Sequence, residues 1–337
     1  MTTEKKQNRS PRPGETITGK WNGHRYKVLR TIGRGATGTV YLAERRGKKL
    51  ALKISDQGYS VTAEVNVLQH FSRMGGSKVG PDLIDVDDWL VGAGGQPVPF
   101  YVMEYISGEP FLGFLQSRES FWLGVLVVQL LSDLDKLHNA GWVFGDLKPD
   151  NLKVMVSPPR VRLLDVGGTT KIGRAIKEFT EFYDRGFWSA GTRKAEPSYD
   201  VFAVGMIMLH ALYGRRFRRQ PGDDLNTLKA RVQRLNSPYE PIIIHALSGK
   251  YVRAMDMQYA LTTLMSTYAQ EEKKRQSPKS QPQSPPLTQT RAGRTRVKAK
   301  ATKKKRIHPF KRVVQEVVWI GVLLVAFYVC MLLLGGS

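Results

Sequence analysis

The feature that most constrains the fold of this chain is the run Phe144–Asn151, FGDLKPDN, which is followed fourteen residues later by Asp165. In this pattern Asp146 is suited to orient a hydroxyl and Lys148 to meet a phosphate. Asn151 and Asp165 offer oxygen ligands to magnesium. These are the groups that phosphoryl transfer uses. The chain must therefore fold so that this loop and the later turn reach one cleft.

An apolar helix is predicted immediately before this loop. Leucine and valine recur at helical spacing between Phe121 and Asn139, so one face of the helix can pack into a core. The members of that face are Leu123, Leu126, Val127, Leu130, Leu131, Leu134 and Leu137. The helix is expected to deliver the loop to the cleft.

A glycine-rich run and a lysine come earlier in the chain. Gly33–Val40 reads GRGATGTV, and the short apolar strand Leu50–Lys53 follows it. Because glycine has no Cβ, such a hairpin can fold closely over phosphates and offer them its N–H groups. The glycine run alone is a weak signal that also fits an ordinary turn. Its order before Lys53 and the FGDLKPDN loop favours the phosphate site.

Lys53 needs a fixed partner, because its four-carbon side chain does not hold one position by itself. Glu64 lies eleven residues later, in a segment whose apolar residues at 61, 65, 68 and 71 have helical spacing. We therefore predict an ion pair between Lys53 and Glu64. The alternative is a solvated surface glutamate.

With these motifs in order, residues from about 26 to 265 resemble the bacterial Hanks-type serine/threonine protein kinases. The resemblance implies an α+β fold of two lobes, with a small, mostly β N-lobe at about 21–106 and a larger helical C-lobe at about 107–270. It also implies ATP as phosphoryl donor, protein substrates as acceptors, and Mg²⁺ as the metal, with Mn²⁺ as an alternative.

The resemblance assigns roles residue by residue. Asp146, Lys148 and Asn151 are the expected catalytic groups, and Asn151 and Asp165 are the expected metal ligands. The residues expected to hold the nucleotide are Ile32, Gly33, Gly35, Gly38, Val40, Ala51, Lys53, Glu64, Met103, Glu104 and Ile106.

The strand within Pro99–Gly108 resembles the hinge between the two lobes of that family. By this resemblance Met103 is the gatekeeper beside the adenine, and the backbone of Glu104 and Ile106 bonds the adenine edge. A buried core strand explains the same apolar residues equally well, so both interpretations stay open.

Three departures from the family pattern bear on regulation. Gly145 stands where most members carry an arginine that pairs with a phosphorylated activation loop. Val166 replaces the usual phenylalanine, which is expected to change packing against the Glu64 helix. The activation segment looks compressed, because Gly191-Thr192 lies only eight residues before Asp200.

Thr192 is predicted to lie beside Asp146 and Lys148, unless it is a simple turn threonine. Glu196 is predicted to pair with Arg253. Asp200 opens the apolar helix at 201–209, and a plain helix N-cap explains an aspartate at this position as well as a functional role does. The exposed-loop candidates for autophosphorylation are Thr169, Thr170, Thr180, Ser189 and Thr192.

A second signal lies near the C-terminus. Residues 317–336 carry no charge and are almost entirely apolar, and about twenty such residues span a bilayer core as a helix. We predict a transmembrane helix at 313–336, against the alternative of a buried core helix. Basic residues stand just before it, so the positive-inside rule predicts a single-pass tail anchor in the cell membrane with the kinase-like domain in the cytoplasm.

The segment 271–312 is strongly basic. The whole chain has a net charge of +23, and this segment holds fifteen Lys or Arg against two Glu. Its Ser-Pro and Pro-Pro steps predict a disordered linker. Its basic patch comprises Arg291, Arg294, Arg296, Lys298, Lys300, Lys303, Lys304, Lys305 and Arg306.

Two partners for this basic patch remain open. Anionic membrane lipid would attract each basic residue near its surface by about 1 kcal/mol. DNA would be bound through its phosphates without sequence readout. In the second case DNA would gather several copies of the chain, and their self-association would promote autophosphorylation in trans.

Two other function classes also remain open. A small-molecule kinase of the aminoglycoside or choline type shares these lobes, although Leu147–Pro149 and Thr192 favour a protein acceptor. A membrane-tethered pseudokinase scaffold would explain Gly145 and Val166.

Residues 1–20 are predicted to be disordered and lack the apolar core of a signal peptide. The single Cys330 excludes a disulfide framework.

Overall fold

The computed structural model describes residues 10–35, 37–55, 58–73, 79–92 and 95–276. These residues form two lobes, of which the smaller is a six-stranded sheet with a helix and the larger is mostly helical. The predicted two-lobed α+β architecture is confirmed.

The elements of the small lobe are β1 (Thr16–Thr18), β2 (Arg25–Gly35), β3 (Gly38–Arg45), β4 (Lys48–Ile54), α1 (Gly58–Arg73), β5 (Leu83–Leu90) and β6 (Pro97–Glu104). Its sheet has the strand order β1-β2-β3-β4-β6-β5, and each neighbouring pair is antiparallel. The side chains of the central strand β4 point alternately to the two faces of the sheet. Leu50, Leu52 and Ile54 pack in one core, whereas Ala51 joins the core under the helix.

Helix α1 has the buried face that its apolar spacing predicted. Val61, Val65, Leu68 and Phe71 are all buried. Glu64 lies among them and is also buried. The helix therefore brings a carboxylate into the interior next to the sheet.

Residues 10–20 belong to the small lobe. Ile17 of β1 is fully buried, and Gly19 pairs with Trp89 so that the chain covers the edge of β5. Two backbone amides of the following turn donate to the buried Asp87 carboxylate. The prediction of a disordered segment through residue 20 is therefore wrong for residues 10–20.

The large lobe is built around two helices that the sequence pattern indicated. Helix α3 (Phe121–Asn139) has the predicted bounds, and α4 (Pro197–Tyr213) is buried almost all round, as expected for a helix inside a core. The elements are β7 (Glu109–Pro110), α2 (Phe111–Gln116), α3 (Phe121–Asn139), β8 (Trp142–Val143), β9 (Leu152–Val156), β10 (Pro159–Leu163), β11 (Thr170–Lys171), α4 (Pro197–Tyr213), α5 (Leu225–Arg234), α6 (Glu240–Leu247) and α7 (Ala254–Gln276).

Helix α7 continues to Gln276, past the boundary predicted at residue 270. Within the described ranges, none of the helices has the length and apolar character needed to cross a membrane. The predicted span at 313–336 and the basic patch at 291–306 lie outside the described residues.

Candidate active site

A cavity of about 290 Å³ contains most of the residues predicted to hold a nucleotide. The predicted residues in its lining are Ile32, Gly33, Val40, Ala51, Lys53, Met103, Glu104, Ile106, Asn151 and Asp165. Its lining also includes Arg30, Pro81, Tyr105, Asp150, Lys153 and Leu164, which the sequence patterns did not single out. The described residues that were predicted for nucleotide binding, metal binding or catalysis but are not part of the lining are Gly35, Gly38, Glu64, Asp146 and Lys148.

Gly38 shapes the hairpin over the cavity. It pairs with Gly35 across the β2–β3 connection. Its φ is 147°, and a Cβ at this position would lie 2.2 Å from the Ile54 carbonyl oxygen. Because only glycine fits such a close approach, this residue fixes the path of the hairpin.

Lys53 and Glu64 form the predicted ion pair. The Lys53 Nζ lies 2.6 Å from Glu64 Oε2, and both side chains are 3% exposed. The same ammonium is 3.6 Å from Asp165 Oδ1. The Tyr101 hydroxyl donates to Glu64, and burial together with the Glu64 charge raises the pKa of Tyr101 well above its ordinary value. Lys53 is therefore held towards Asp165.

Arg162 of β10 fixes the connection after β6. Its guanidinium donates to Glu104 at 2.9 Å and to the Gly80 carbonyl oxygen at 2.8 Å. The amide of Asp82 donates to the same Glu104 carboxylate. Sequence reasoning missed Arg162, because no spacing rule links β6 to a strand in the other lobe.

The hydroxyl of Thr180 lies between Asp146 and Lys148. It donates to Asp146 Oδ1 at 2.8 Å and accepts from Lys148 Nζ at 3.0 Å. The prediction of Thr192 at this place is wrong, because Thr192 is exposed and its carbonyl oxygen accepts from Arg185. Counting back from the start of α4 misplaced the threonine, since the intervening residues fold back on themselves.

Asp200 anchors the catalytic loop from α4. This fully buried carboxylate accepts the amides of Phe144 at 2.7 Å and Gly145 at 3.0 Å, and it contacts His138 Nε2 at 2.9 Å. The N-cap position belongs to Glu196 instead. The N-cap alternative for Asp200 is therefore wrong.

Gly145 is required by the backbone. Its φ is 83°, and a Cβ there would lie 2.6 Å from the Gly168 carbonyl oxygen. A side chain at this position would need both a strained conformation and a shifted neighbour. The local backbone of this chain therefore favours glycine at position 145.

Asp184 holds the segment that follows Thr180. Its side chain is fully buried and lies 2.7 Å from Arg193 Nη2. It also accepts from the Tyr199 hydroxyl at 2.8 Å and from two backbone amides. One carboxylate thus orders this segment through several hydrogen bonds.

Arg185 has the partner that was predicted for Arg253. Its guanidinium lies 2.6 Å from Glu196, and this hydrogen bond lowers the pKa of Glu196. Arg253 instead pairs with Asp256 at 3.0 Å. The predicted Glu196–Arg253 pair is therefore wrong, because Arg185 lies nearer in the folded segment.

Two of the candidate phosphorylation sites are not in an exposed loop. Thr169 and Thr170 are buried, and the Thr170 hydroxyl donates to the Gly168 carbonyl oxygen. The prediction is wrong for this pair. Thr180 is partly buried by its contacts, whereas Ser189 and Thr192 are exposed.

The donors at the cavity suit a magnesium ion. Asn151 Nδ2 donates to the Asp146 carbonyl oxygen at 2.9 Å, and the Asp165 side chain is half-exposed. In the described part of the chain, no three His, Cys, Asp or Glu side chains form a metal cluster. Magnesium usually takes one or two protein oxygens and completes its shell with phosphates and water. Asn151 and Asp165 fit that requirement.

Glu178 adds a further carboxylate near this pair. It is part of the activation segment, and burial together with the charge of Asp165 raises its pKa. Several carboxylates therefore lie close together beside Asp165, and a bound cation would stabilise their ionised forms.

The comparisons with known proteins agree with this geometry. Residues 26–285 match the protein kinase domain family. The chain is 49% identical to the serine/threonine-protein kinase YabT of Bacillus subtilis over 251 residues, which cover 74% of each protein. It is 24% identical to the serine/threonine-protein kinase ArnS of Sulfolobus acidocaldarius, over 58% of this chain and 38% of that protein.

A solved structure has the same fold. The crystal structure of the Mycobacterium tuberculosis PknI kinase domain aligns with a TM-score of 0.52 at 19% identity. The alignment covers 76% of this chain and 100% of the solved chain.

Proposed function

Because the chain belongs to the protein kinase family and is a serine/threonine protein kinase of the bacterial Hanks type, we propose that its cavity binds ATP and Mg²⁺ and transfers phosphate to cytoplasmic proteins and to its own activation segment. One observation carries the proposal: Lys53 is held by Glu64 and lies 3.6 Å from Asp165, in a cavity that Asn151 also lines.

The nucleotide is expected to lie along the cavity lining. Val40 and Met103 would contact the adenine, and the backbone of Glu104 and Ile106 would bond its edge. Lys53 would meet the α and β phosphates. The hairpin amides would approach the phosphates closely, because its glycines lack Cβ atoms.

Asp146 and Lys148 are proposed to act on the acceptor. Asp146 would orient the acceptor hydroxyl and take its proton, and Lys148 would neutralise charge on the transferred group. Thr180 supports this assignment, because its own hydroxyl bonds both side chains. Asn151 and Asp165 would hold Mg²⁺, which supplies positive charge at the phosphates when bound. Catalysis here is positioning and electrostatics.

Phosphate transfer from labelled ATP tests this function. The full chain in detergent should phosphorylate itself, and Lys53→Ala and Asp146→Asn should abolish the transfer. Lys27→Ala is the matched control, because Lys27 is exposed on β2. Transfer that persists in Asp146→Asn would contradict the assigned base. Binding of ATP without transfer by the wild type would favour the pseudokinase scaffold.

We further propose that the chain is tail-anchored in the cell membrane and that DNA bound to its basic patch stimulates autophosphorylation. Support comes from the uncharged apolar residues 317–336 and from the basic residues that extend back to Arg291. Orientation in the membrane needs only charges near the span. The more distant arginines therefore favour an additional anionic partner, either lipid or DNA.

Plasmid DNA and anionic vesicles distinguish these partners. If DNA is the activator, it should raise autophosphorylation at low salt and lose this effect at high salt, because phosphate contacts release counterions. Changing the nine patch residues to glutamine should remove the effect. A response to anionic vesicles alone would contradict the DNA proposal. Release of the chain from washed membranes by high salt would contradict the anchor.

A further inference from the structure

Asp150 and Arg216 form an ion pair at the mouth of the active-site cavity. Asp150 lines the cavity next to Asn151, and its carboxylate lies 2.6 Å from Arg216 Nη2. The Asp150 side chain is 63% exposed and the Arg216 side chain is 44% exposed, so the pair is on the surface. Arg216 Nε also donates to the Tyr183 hydroxyl at 3.2 Å. The catalytic loop and the activation segment therefore share one arginine.

Arg216 belongs to a dense basic run that directly follows α4. The run contains Arg215, Arg216, Arg218 and Arg219, which we call the arginine surface. Arg218 and Arg219 line an open cleft of about 550 Å³ together with Phe187. Arg219 stacks over Phe187 at 5.0 Å. The arginine surface therefore extends from the cavity mouth along the activation segment.

The arginine surface has a surplus of positive charge. The Asp150 carboxylate is paired with Arg216, and the Asp223 carboxylate lies 3.6 Å from Arg231 of α5. Among the described residues, Arg215 and Arg218 have no carboxylate partner, and both are exposed. A basic residue next to an acceptor hydroxyl would meet Arg216 rather than a free Asp150. An acidic residue would find guanidinium groups that bind carboxylates through paired hydrogen bonds.

We infer that the arginine surface selects acceptor segments in which Asp or Glu flanks the serine or threonine. Arg216 is the main specificity determinant, and Arg215 and Arg218 extend the preference. This inference rests on the proposed transfer to protein acceptors. A protein segment is favoured over DNA as the occupant, because the surface begins at Asp150, which lines the cavity mouth, and a duplex lying there would cover the cavity.

The test uses the full chain and three threonine peptides of equal length. They differ only in their flanking residues, which are glutamate, alanine or arginine. The wild type should phosphorylate the glutamate peptide with a kcat/KM about tenfold above that of the arginine peptide at low salt. The difference should be mainly in KM and should shrink as salt rises.

Arg216→Glu should reverse this preference, because the introduced carboxylate and Asp150 would then both face the peptide. Arg216 contacts Tyr183, so this variant alone would not separate specificity from folding. The double variant Arg215→Glu/Arg218→Glu avoids that difficulty, since neither residue has an ion pair in the described structure. The double variant should lower the ratio of kcat/KM for the glutamate peptide to kcat/KM for the arginine peptide about fivefold. Arg25→Glu, on the exposed part of β2, is the matched charge control and should leave the ratio unchanged.

The outcomes separate the inference from the proposed function. Equal use of the three peptides by the wild type would overturn the inference while leaving the kinase assignment intact. An unchanged ratio in both the Arg216 variant and the double variant would also overturn it. Phosphorylation of none of the peptides, together with no autophosphorylation, would instead contradict the proposed function. Loss of duplex binding by the double variant with an unchanged peptide ratio would assign the surface to DNA.

Discussion

Glu64 in the small lobe and Asp184 in the large lobe are both buried carboxylates, yet they serve different purposes. Glu64 pairs with Lys53, which is itself 3% exposed and lines the cavity. Asp184 pairs with Arg193, which is 43% exposed, and also accepts hydrogen bonds from the Tyr199 hydroxyl and from two backbone amides. One carboxylate positions a single reactive cation, whereas the other holds a whole segment together. The burial of the partner distinguishes the two.

Asp184→Asn should give the largest effect on stability. Breaking a buried charge pair leaves its hydrogen-bonding partners unmatched and typically costs about 3–5 kcal/mol; we expect about 3 kcal/mol, because Arg193 remains solvated. Chemical denaturation would measure the loss, and limited proteolysis should show earlier cleavage within residues 181–196.

Asp256→Asn is the matched control for this prediction. Asp256 also pairs with an arginine, but on the surface. Asp256→Asn should lower the free energy of unfolding by less than about 1 kcal/mol, because the pair is exposed to solvent. Equal stability of Asp184→Asn and the wild type would remove Asp184 as the anchor of the segment.

Glu64→Gln should reduce catalysis more than stability. Without the carboxylate, Lys53 is no longer held beside Asp165, and misplaced charge is costly in phosphoryl transfer. We expect kcat/KM for ATP to fall about 100-fold, or about 2.7 kcal/mol in transition-state stabilisation. Glu44→Gln on β3 is the control. A fall of less than about threefold would show that Lys53 holds its position without Glu64.

The contrast also explains what the sequence could reveal. Lys53 and Glu64 are predictable, because a strand and a helix with regular apolar spacing carry them at a fixed separation. Asp184 and Arg193 lie in a segment with little regular structure, so no periodicity indicates their pairing. Arg162 was missed for a similar reason, since its contact with Glu104 joins strands of different lobes.

The same reasoning accounts for the error at Thr192. Thr192 was placed beside Asp146 by its distance from α4 along the chain, and that distance was a poor guide because the Asp184 network folds the segment back. By contrast, α3 was predicted with its bounds, since a long periodic pattern defines its buried face.

Thr180→Ala should have a smaller effect than the Glu64 change. The variant loses the hydroxyl that bridges Asp146 and Lys148. We expect kcat for a peptide acceptor to fall about tenfold, in line with one lost bond to charged groups. Thr180→Ser should restore the rate, and Thr192→Ala should change it little. A larger loss of kcat in Thr192→Ala than in Thr180→Ala would show that Thr192, and not Thr180, acts beside Asp146 and Lys148.

Glu196→Gln should show the smallest effect and a defined pH dependence. The hydrogen bond from Arg185 lowers the pKa of Glu196 below its ordinary value of 4.5. The folded state therefore favours the ionised form, and this contribution is present above pH 4.5 and is lost as pH falls through the lowered pKa. Because the Glu196 side chain is 40% exposed, the contribution should stay below about 1 kcal/mol. The unfolding temperature of the variant should thus be slightly below that of the wild type at pH 7, and the two temperatures should become equal at acid pH. Equal unfolding temperatures of the variant and the wild type at pH 7 would mean that Arg185 holds the segment through Ser198 and the backbone carbonyls rather than through the Glu196 charge.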